Sequence, residues 1–466
     1  MFNKFTELPF DQLSVFDYHA RLGAIDRLIP PWERVKILKR NQSLDVGSEV
    51  LLQQTLGFLK MEWLASHTEY TPPVSFQDIQ VRGPFRRWTH DHLIEFVSSR
   101  SCRLTDSVQY ELPFGLLGRL GSPWIEKKIS SMFDYRHRTT LEDLRFIAHV
   151  GDLTANKEKV RIGVSGSSGM IGRRICALAS VSGVEVVRIV RPGTQNADAS
   201  IPCHSVTTFS NESFSDPNVV EQLDAVIHLG GHGIADHRWS DSIKKKILSS
   251  RVESTSSLIK GLKKLKTPPQ KFVCASGIGA YGEQGETFCS DHDADQQKNG
   301  GDSFLEQVSR QWEASARAYS DCGGVCIGRL AMAIHPIQGA LSKMIPLFRL
   351  GLGGKLGSGR QYWSWIHVDD AAGAFLHLAL NPKSTGIYNL TSPEPITNIE
   401  FTDLLSRKLK RWAIMPAPEF GLRIMLGQMA KELLLASIRA TADRLEMESF
   451  PFRARTLTEA LDQLLP

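Results

Sequence analysis

Three glycines are spaced as in a turn that holds a phosphate group. Gly166, Gly169 and Gly172 occur in SGSSGMIG, directly after the apolar run KVRIGVSG and at the start of the helical pattern MIGRRICALASVSG. Such a turn needs residues without Cβ where the backbone approaches a pyrophosphate, and the amino terminus of the following helix attracts an anion. Because strand, turn, helix and second strand occur in this order, we predict a dinucleotide-binding turn.

The end of the second strand indicates which dinucleotide is preferred. An NAD-selective site usually has Asp or Glu here, which accepts hydrogen bonds from the ribose hydroxyls. This sequence has VEVVRIVRPG instead, with Arg191 at that position. A guanidinium attracts a 2′-phosphate, so we expect NADP(H) rather than NAD. The alternative is that Arg191 is an ordinary surface arginine.

Other chemistry-bearing residues give weaker predictions. His228, His232 and His237 surround the fourth predicted strand and can titrate near neutral pH, but a structural role is favoured over a catalytic one. Asp369 and Asp370 in WIHVDD are expected to cap a helix. The His-x-His and Cys-x-x-x-Cys pairs match no metal-ligand spacing that we recognise, so no metal site is predicted.

The composition excludes several classes of protein. In 466 residues, 42% are apolar and 23% are charged, as in ordinary globular domains, and the length favours two or three domains. The formal charge of +5 is small for this length and gives no support for nucleic-acid binding. Seven scattered cysteines, no signal-peptide pattern and no long apolar segment predict a cytoplasmic protein without membrane insertion.

The residues to about 150 have a pattern typical of an antiparallel sheet followed by a long helix. In RLTDSVQYEL, the residues Leu104, Val108, Tyr110 and Leu112 are predicted to share one face of a strand, and Ser122 with Pro123 begins a helical pattern. LIPPW, RWTHDHLIEF and WIEKKISSMFDYRHRTTLEDL resemble the START-like, or polyketide-cyclase (SRPBCC), superfamily. This resemblance implies a helix-grip domain of α+β type over residues 1–150 that encloses an apolar ligand.

The remaining residues alternate between strands and helices. After a predicted linker at 151–158, residues 159–395 are expected to form an α/β domain with a doubly wound parallel sheet of the Rossmann type, and 396–466 a helical cap. ADHRWSDSIKKKILSSRV, LGSGRQYWSWIHVDDAAGAF and YNLTSPEPITNIEF resemble the atypical extended short-chain dehydrogenases labelled as an NAD-dependent epimerase-like family.

The second resemblance implies roles for particular residues. It implies that the glycine turn holds the phosphates, that Arg191 contacts a 2′-phosphate, that residues after the fourth strand lie along the adenine and ribose, and that Ser276 faces the nicotinamide. The implied cofactor residues are Gly166, Ser168, Gly169, Met170, Ile171, Gly172, Arg191, Leu229, Gly230, Gly231 and Ser276.

The catalytic pair of that family is missing. Its members generally use a Tyr whose pKa is lowered by a Lys four residues later, but none of the eight tyrosines here is followed by such a Lys. The corresponding positions are occupied by Leu305 and Ser309. Ser276 and Tyr281 are the remaining catalytic candidates near the predicted cleft.

Two functions are consistent with the sequence. The first is an NADP-dependent oxidoreductase or epimerase-like enzyme that acts without the Tyr and Lys pair on a small molecule, which the START-like domain would deliver if it is hydrophobic. The second is a non-catalytic NADP(H)-binding protein that senses a ligand. The intact glycine turn favours the first function, and the missing pair favours the second.

Overall fold

The computed structural model describes residues 1–41, 43–113, 122–194, 200–292, 294 and 301–466. The first part of the chain forms a seven-stranded sheet in the order β1-β7-β6-β5-β4-β3-β2, and all neighbouring strands are antiparallel. The antiparallel sheet expected for this part is thus observed. Its strands are β1 (Phe2–Leu8), β2 (Val35–Arg40), β3 (Glu49–Leu56), β4 (Leu59–Thr71), β5 (Ser75–Arg82), β6 (Arg87–Ser98) and β7 (Ser101–Glu111).

Helices pack against one face of this sheet. Two short helices, α1 (Gln12–Ala20) and α2 (Ala24–Leu28), follow β1, and the long helix α3 (Ser122–Thr154) follows β7. The predicted apolar stripe of α3 is buried at Ile129, Phe133 and Leu144. The helix also continues to residue 154, so the first four residues of the predicted linker are helical.

The second sheet has eight strands in the order β11-β10-β9-β8-β12-β13-β15-β19, and all neighbours except β11 and β10 are parallel. The predicted Rossmann-type parallel sheet is confirmed. The order changes direction between β8 and β12, which is where such sheets bind dinucleotides. The strands are β8 (Arg161–Ser165), β9 (Glu185–Val190), β10 (Ser205–Ser210), β11 (Ser213–Phe214), β12 (Ala225–His228), β13 (Lys271–Gly277), β15 (Gly324–Leu330) and β19 (Gly386–Leu390).

Helices and three two-stranded sheets complete the second part. The small sheets pair β14 (Phe288–Cys289) with β21 (Arg439–Ala440), β16 (Met332–Ile334) with β18 (Trp365–His367), and β17 (Tyr362–Trp363) with β20 (Ile396–Thr397). The helices are α4 (Met170–Val181), α5 (Pro217–Val220), α6 (Asp241–Lys263), α7 (Phe304–Arg317), α8 (Gly339–Arg349), α9 (Val368–Leu380), α10 (Asn398–Leu409), α11 (Glu419–Leu426), α12 (Asp443–Met447) and α13 (Leu457–Leu464). Among the residues described, no helix is both long enough and apolar enough to cross a membrane.

Buried charges join the two parts of the chain. The guanidinium of Arg27, which is fully buried in α2, donates to both oxygens of Asp143 on α3 at 2.9 Å and to Asp369 on α9 at 2.6 Å. Arg453 pairs with Asp143 as well, and its Nη1 lies 3.7 Å from Asp369. Tyr18 donates to Asp143 at 2.9 Å. Because these groups come from both parts of the chain, their burial depends on the packing of one part on the other.

The prediction that Asp369 and Asp370 cap a helix is wrong. The N-cap of α9 is His367, whose Nδ1 accepts a hydrogen bond from the backbone N–H of Asp369 at 3.1 Å. Asp370 accepts from the backbone N–H groups of Arg453 and Ala454 at 2.8 and 3.1 Å. Both carboxylates therefore hold distant chain segments, and burial raises the pKa of Asp370 to about 7.

Candidate dinucleotide site and adjoining cleft

The glycine turn connects β8 to α4 with very little space around its backbone. Gly166 has φ +80°, and the N–H of Gly169 donates to its carbonyl at 3.1 Å. A Cβ on Gly172 would lie 2.4 Å from the Gly166 oxygen and 2.7 Å from the Cα of Ser167. Only a hydrogen atom fits at Gly172, so the first turn of α4 packs directly on the loop.

The amino terminus of α4 is open toward solvent. Gly169 is the N-cap residue, and it provides no side chain to accept from the N–H groups of the first helical turn. Ser168 and Gly169 are exposed, and Met170 and Ile171 are the first two helical residues. The free N–H groups and the helix dipole form an anion site, so these residues fit a pyrophosphate.

Arginines surround this turn in two different ways. Arg191 is exposed and directly follows the last residue of β9, at the same sheet edge as the glycine turn. Arg188, on the same strand, is 1% exposed, and its Nε donates to Ser167 Oγ at 3.1 Å. Arg188 was not among the predicted site residues, although an arginine inside the apolar run VVRIV indicates a buried partner. Arg188 supports the loop, whereas Arg191 is accessible to a ligand.

The residues after β12 form the other side of the switch point. The N–H of Leu229 donates to the Ser165 carbonyl at 3.0 Å, which holds the two strand ends together. A Cβ on Gly230 would lie 2.8 Å from the His228 ring, and one on Gly231 would lie 3.0 Å from the Arg251 guanidinium carbon. The small residues predicted beside the cofactor therefore line the edge next to the glycine turn.

His228 is part of this edge but is not suited to proton transfer. Its ring is buried, with Nδ1 3.1 Å from Ser165 Oγ and Nε2 3.4 Å from Ser254 Oγ. Burial lowers the pKa of His228 to about 4, so the imidazole is neutral at physiological pH. This supports the structural role favoured for it.

Ser276 belongs to a buried network that the sequence did not reveal. Its hydroxyl donates to Glu313 Oε1 at 2.7 Å, and Arg329 donates to the two oxygens of Glu313 at 2.9 and 3.0 Å. Arg329 is fully buried, and its Nη1 has no hydrogen-bond partner among the residues described. The Arg329 charge lies inside the apolar strand GVCIGRL, which is the only sequence signal for such a partner.

Tyr281 is fixed in the same region. The Arg329 guanidinium carbon lies 4.7 Å from the centre of its ring, and its hydroxyl donates to Asn389 Oδ1 at 2.8 Å. Tyr281 is 4% exposed, and burial raises the pKa of its hydroxyl to about 12. A phenol with a raised pKa is a poor base at neutral pH, so the geometry gives Tyr281 a packing role better than a catalytic one.

A cleft of about 1030 Å³ lies between the loop that contains Tyr281, the start of α7 and the carboxy-terminal residues 423–438. Leu305, at the position expected for the family tyrosine, lines this cleft, whereas Ser309 is buried on the same helix. Glu432 accepts from the backbone N–H groups of Phe304 and Leu305 at 3.2 and 2.9 Å. The carboxy-terminal segment therefore covers the helix that should carry the catalytic pair.

Comparisons with known proteins indicate the family of the chain. Residues 162–391 match the NAD dependent epimerase/dehydratase family, and residues 417–464 match a domain of unknown function, DUF1731. The epimerase family protein Mb2239 of Mycobacterium bovis is 34% identical over 302 residues, which cover 64% of this chain and 96% of that protein. The human epimerase family protein SDR39U1 is 28% identical over 309 residues, which cover 66% of this chain and all of that protein.

Solved structures extend the similarity. The nucleoside-diphosphate sugar epimerase from Corynebacterium glutamicum matches 100% of this chain and 90% of its own, with 25% identity and a TM-score of 0.77. The human protein SDR39U1, solved with NADPH, matches 66% of this chain and 99% of its own, with 26% identity and a TM-score of 0.58. The glycine turn, the parallel sheet and these matches together place the chain in the NAD dependent epimerase/dehydratase family.

Proposed function

We propose that this protein binds NADP(H) and acts as an epimerase-like oxidoreductase on a small molecule held in the cleft beside Tyr281 and Leu305. The observation that carries the proposal is the turn from Gly166 to Gly172, where the backbone is bare and the start of α4 is uncapped. The N–H groups of the first turn of α4 have no side-chain cap, so they can donate to a pyrophosphate.

The preference for NADP(H) rests on Arg191. Its position at the end of β9 is the one at which a carboxylate would select NAD, and its side chain is exposed beside the glycine turn. A guanidinium presents a fork of donors to a phosphate, and the human relative was solved with NADPH. We therefore assign the 2′-phosphate to Arg191.

A bound nicotinamide would supply or accept a hydride, and residues of the chain would orient the substrate and exclude water. Ser276 lies at the end of β13, with its hydroxyl held by Glu313. Glu313 is itself held by Arg329, so the Ser276 oxygen is fixed in place as an acceptor for a substrate hydroxyl. Ser276 is thus a positioning group for substrate rather than the source of a proton.

Cofactor choice is testable by titrating the protein with NADPH and with NADH while following cofactor fluorescence. Arg191→Glu should weaken NADPH binding by roughly 10- to 100-fold, because charge-assisted hydrogen bonds contribute about 1.5–3 kcal/mol. NADH binding should change little. Arg100→Glu, at an exposed turn of the first domain, is the matched control for the change of charge. An unchanged preference for NADPH in Arg191→Glu would refute the assignment.

A second function, non-catalytic NADP(H) binding, is favoured by one observation. Leu305 and Ser309 replace the catalytic pair, and the Tyr281 hydroxyl is committed to Asn389. NADPH oxidation measured across a panel of aldehydes, ketones and nucleotide sugars separates the two functions. Turnover of any substrate supports the enzyme, whereas tight NADPH binding without turnover supports the sensor.

For the first domain we propose a START-like, helix-grip architecture that receives a small ligand. The seven-stranded antiparallel sheet and the long helix α3 support this assignment. The surface between them is not wholly apolar, because His90, His92 and Asp106 are buried there. The expectation of a purely apolar ligand is therefore weakened.

A further inference from the structure

We propose that Asp78, His90 and His92 of the first domain bind a divalent transition-metal ion. Each of these residues offers one ligand atom, and the three atoms lie within 4.8 Å of one another. The site is independent of the dinucleotide turn, which belongs to the other domain. It also reverses the expectation, drawn from the His-x-His spacing, that the chain has no metal site.

The sheet brings these residues together from different strands. Alternate residues of a strand share a face, so His90 and His92 on β6 both point toward the helices and are 2% and 8% exposed. Asp78 on β5 is the direct cross-strand partner of His90, and Asp106 on β7 is that of His92. Because His90 and His92 are two residues apart on one strand, they and their cross-strand partners place two imidazoles and two carboxylates on the same face of the sheet.

The distances around Asp78 match the separation of ligands around a tetrahedral ion. Asp78 Oδ1 lies 3.3 Å from His90 Nδ1 and 3.6 Å from His92 Nε2. Ligands about 2.0–2.1 Å from a tetrahedral Zn²⁺ are separated by roughly 3.3 Å, which is close to both values. The carboxylate oxygen and both ring nitrogens therefore lie at the spacing of metal ligands.

A second carboxylate lies on the far side of both rings. Asp106 Oδ1 is 3.0 Å from His90 Nε2, where a hydrogen bond forms, and 2.7 Å from His92 Nδ1, where the direction is poor for one. Its other oxygen is held by His137 Nε2 at 2.7 Å. Metal-ligating histidines usually donate their other N–H to a carboxylate, which fixes the ring and raises its basicity. Asp106 is placed for that role toward His90.

The chemistry of the set limits the choice of ion. Two imidazole nitrogens and one carboxylate oxygen suit Zn²⁺, Co²⁺ or Fe²⁺, whereas Ca²⁺ and Mg²⁺ prefer oxygen ligands only. Three protein ligands leave one tetrahedral position open, which water or a small ligand with an oxygen or nitrogen donor would occupy. The carboxylates of Asp78 and Asp106 also balance the charge of a divalent ion.

The test uses the full-length chain without a histidine tag, stripped with a chelator and titrated with Co²⁺ alone, then with Zn²⁺ as competitor. Visible absorption of bound Co²⁺ and the metal content after dialysis give affinity and stoichiometry. The wild type should take up about one ion per chain, and Asp78→Asn should bind at least about tenfold more weakly. Asp91→Asn is the matched control, because Asp91 lies between the histidines on the opposite face and accepts from Gln77 at 2.6 Å.

Circular dichroism and NADPH titration show whether each variant is folded. If Asp78→Asn does not fold, His92→Gln replaces it, with His237→Gln at an exposed position as its control. Uptake that the controls keep and the site variants lose supports the proposal. Absence of uptake by the folded wild type, or full uptake by Asp78→Asn or His92→Gln, would overturn it and leave a buried hydrogen-bonded cluster.

Discussion

Replacement of Gly172 by alanine tests the glycine turn at its tightest point. The added Cβ would lie 2.4 Å from the Gly166 carbonyl oxygen, whereas non-bonded atoms pack best at about 3.5 Å or more. The obstructing atom belongs to the backbone, so the loop or the first turn of α4 must move. Forced overpacking costs about 1–3 kcal/mol, and we expect a loss near 3 kcal/mol in the free energy of unfolding. NADPH binding should be lost with the geometry of the turn.

Gly169→Ala is the matched control, because it adds the same methyl group to the turn without a clash. It therefore separates an effect on stability from an effect on NADPH binding. Its Cβ would meet no atom closer than 3.4 Å, and Gly169 has φ −72°, which alanine adopts readily. The stability should change by less than about 1 kcal/mol, since the lost cap preference and the gain in backbone rigidity are both small. NADPH binding should weaken about tenfold, because the new methyl group projects at the exposed start of α4.

Urea unfolding followed by circular dichroism gives the stabilities, and NADPH fluorescence gives the affinities. The expected pattern is a loss of both stability and binding in Gly172→Ala and a loss of binding alone in Gly169→Ala. A Gly172→Ala protein with normal stability and normal affinity would refute the account of the turn. Normal affinity in Gly169→Ala would show that the phosphates do not approach the start of α4.

Two further predictions concern buried charge. Arg27→Met would leave Asp143 and Asp369 without their main partner, so the free energy of unfolding in urea should fall by about 3–5 kcal/mol. Arg103→Met, which removes a surface ion pair, is the control and should cost less than about 1 kcal/mol. Equal losses of stability in the two variants would contradict the network. The pKa of His228 falls from 6.5 to about 4 on folding, so the folded state requires a neutral imidazole. The part of the folding stability that depends on this neutral form is complete above pH 6.5 and is lost as the pH falls toward 4. Between pH 7 and 5 the wild type should lose about 2 kcal/mol more stability than His228→Asn, and identical pH profiles would disprove this.

The geometry of the glycine turn was largely predictable because its determinants are local. Gly166, Gly169 and Gly172 lie within seven residues, and the backbone at each position depends on the strand and helix that directly flank it. Arg191 could be placed by counting along β9 alone. The pattern along the chain therefore contained nearly all the information that this turn requires.

The polar clusters were not predictable, because they join residues that are distant in sequence. In the strand β7, the alternating pattern predicted that Leu104, Val108 and Tyr110 share one face. Asp106 lies on that same face, and its side chain is buried. Its partner His137 is 31 residues away on α3. The alternation of a strand shows where such a side chain points, but only the packed sheet shows what neutralises its charge.

Asp369 and Asp370 were misassigned for a similar reason. Two carboxylates at the beginning of a helix usually interact with its own N–H groups, so capping was the natural local prediction. Their partners are instead Arg27, which is 342 residues away, and the backbone at Arg453. The hydrogen-bond partner of a carboxylate at the start of a helix cannot be predicted until the segments that pack on it are known.

The Arg27 network also determines how the molecule moves and unfolds. A domain tethered by a free linker reorients independently, but here separation would uncover Asp143 and Asp369 together with the apolar contact between Phe146 and Phe450. The two parts of the chain should therefore melt in a single calorimetric transition and tumble in solution as one rigid particle. We expect a conformational change in the first part to reach the second through these shared contacts rather than through a hinge.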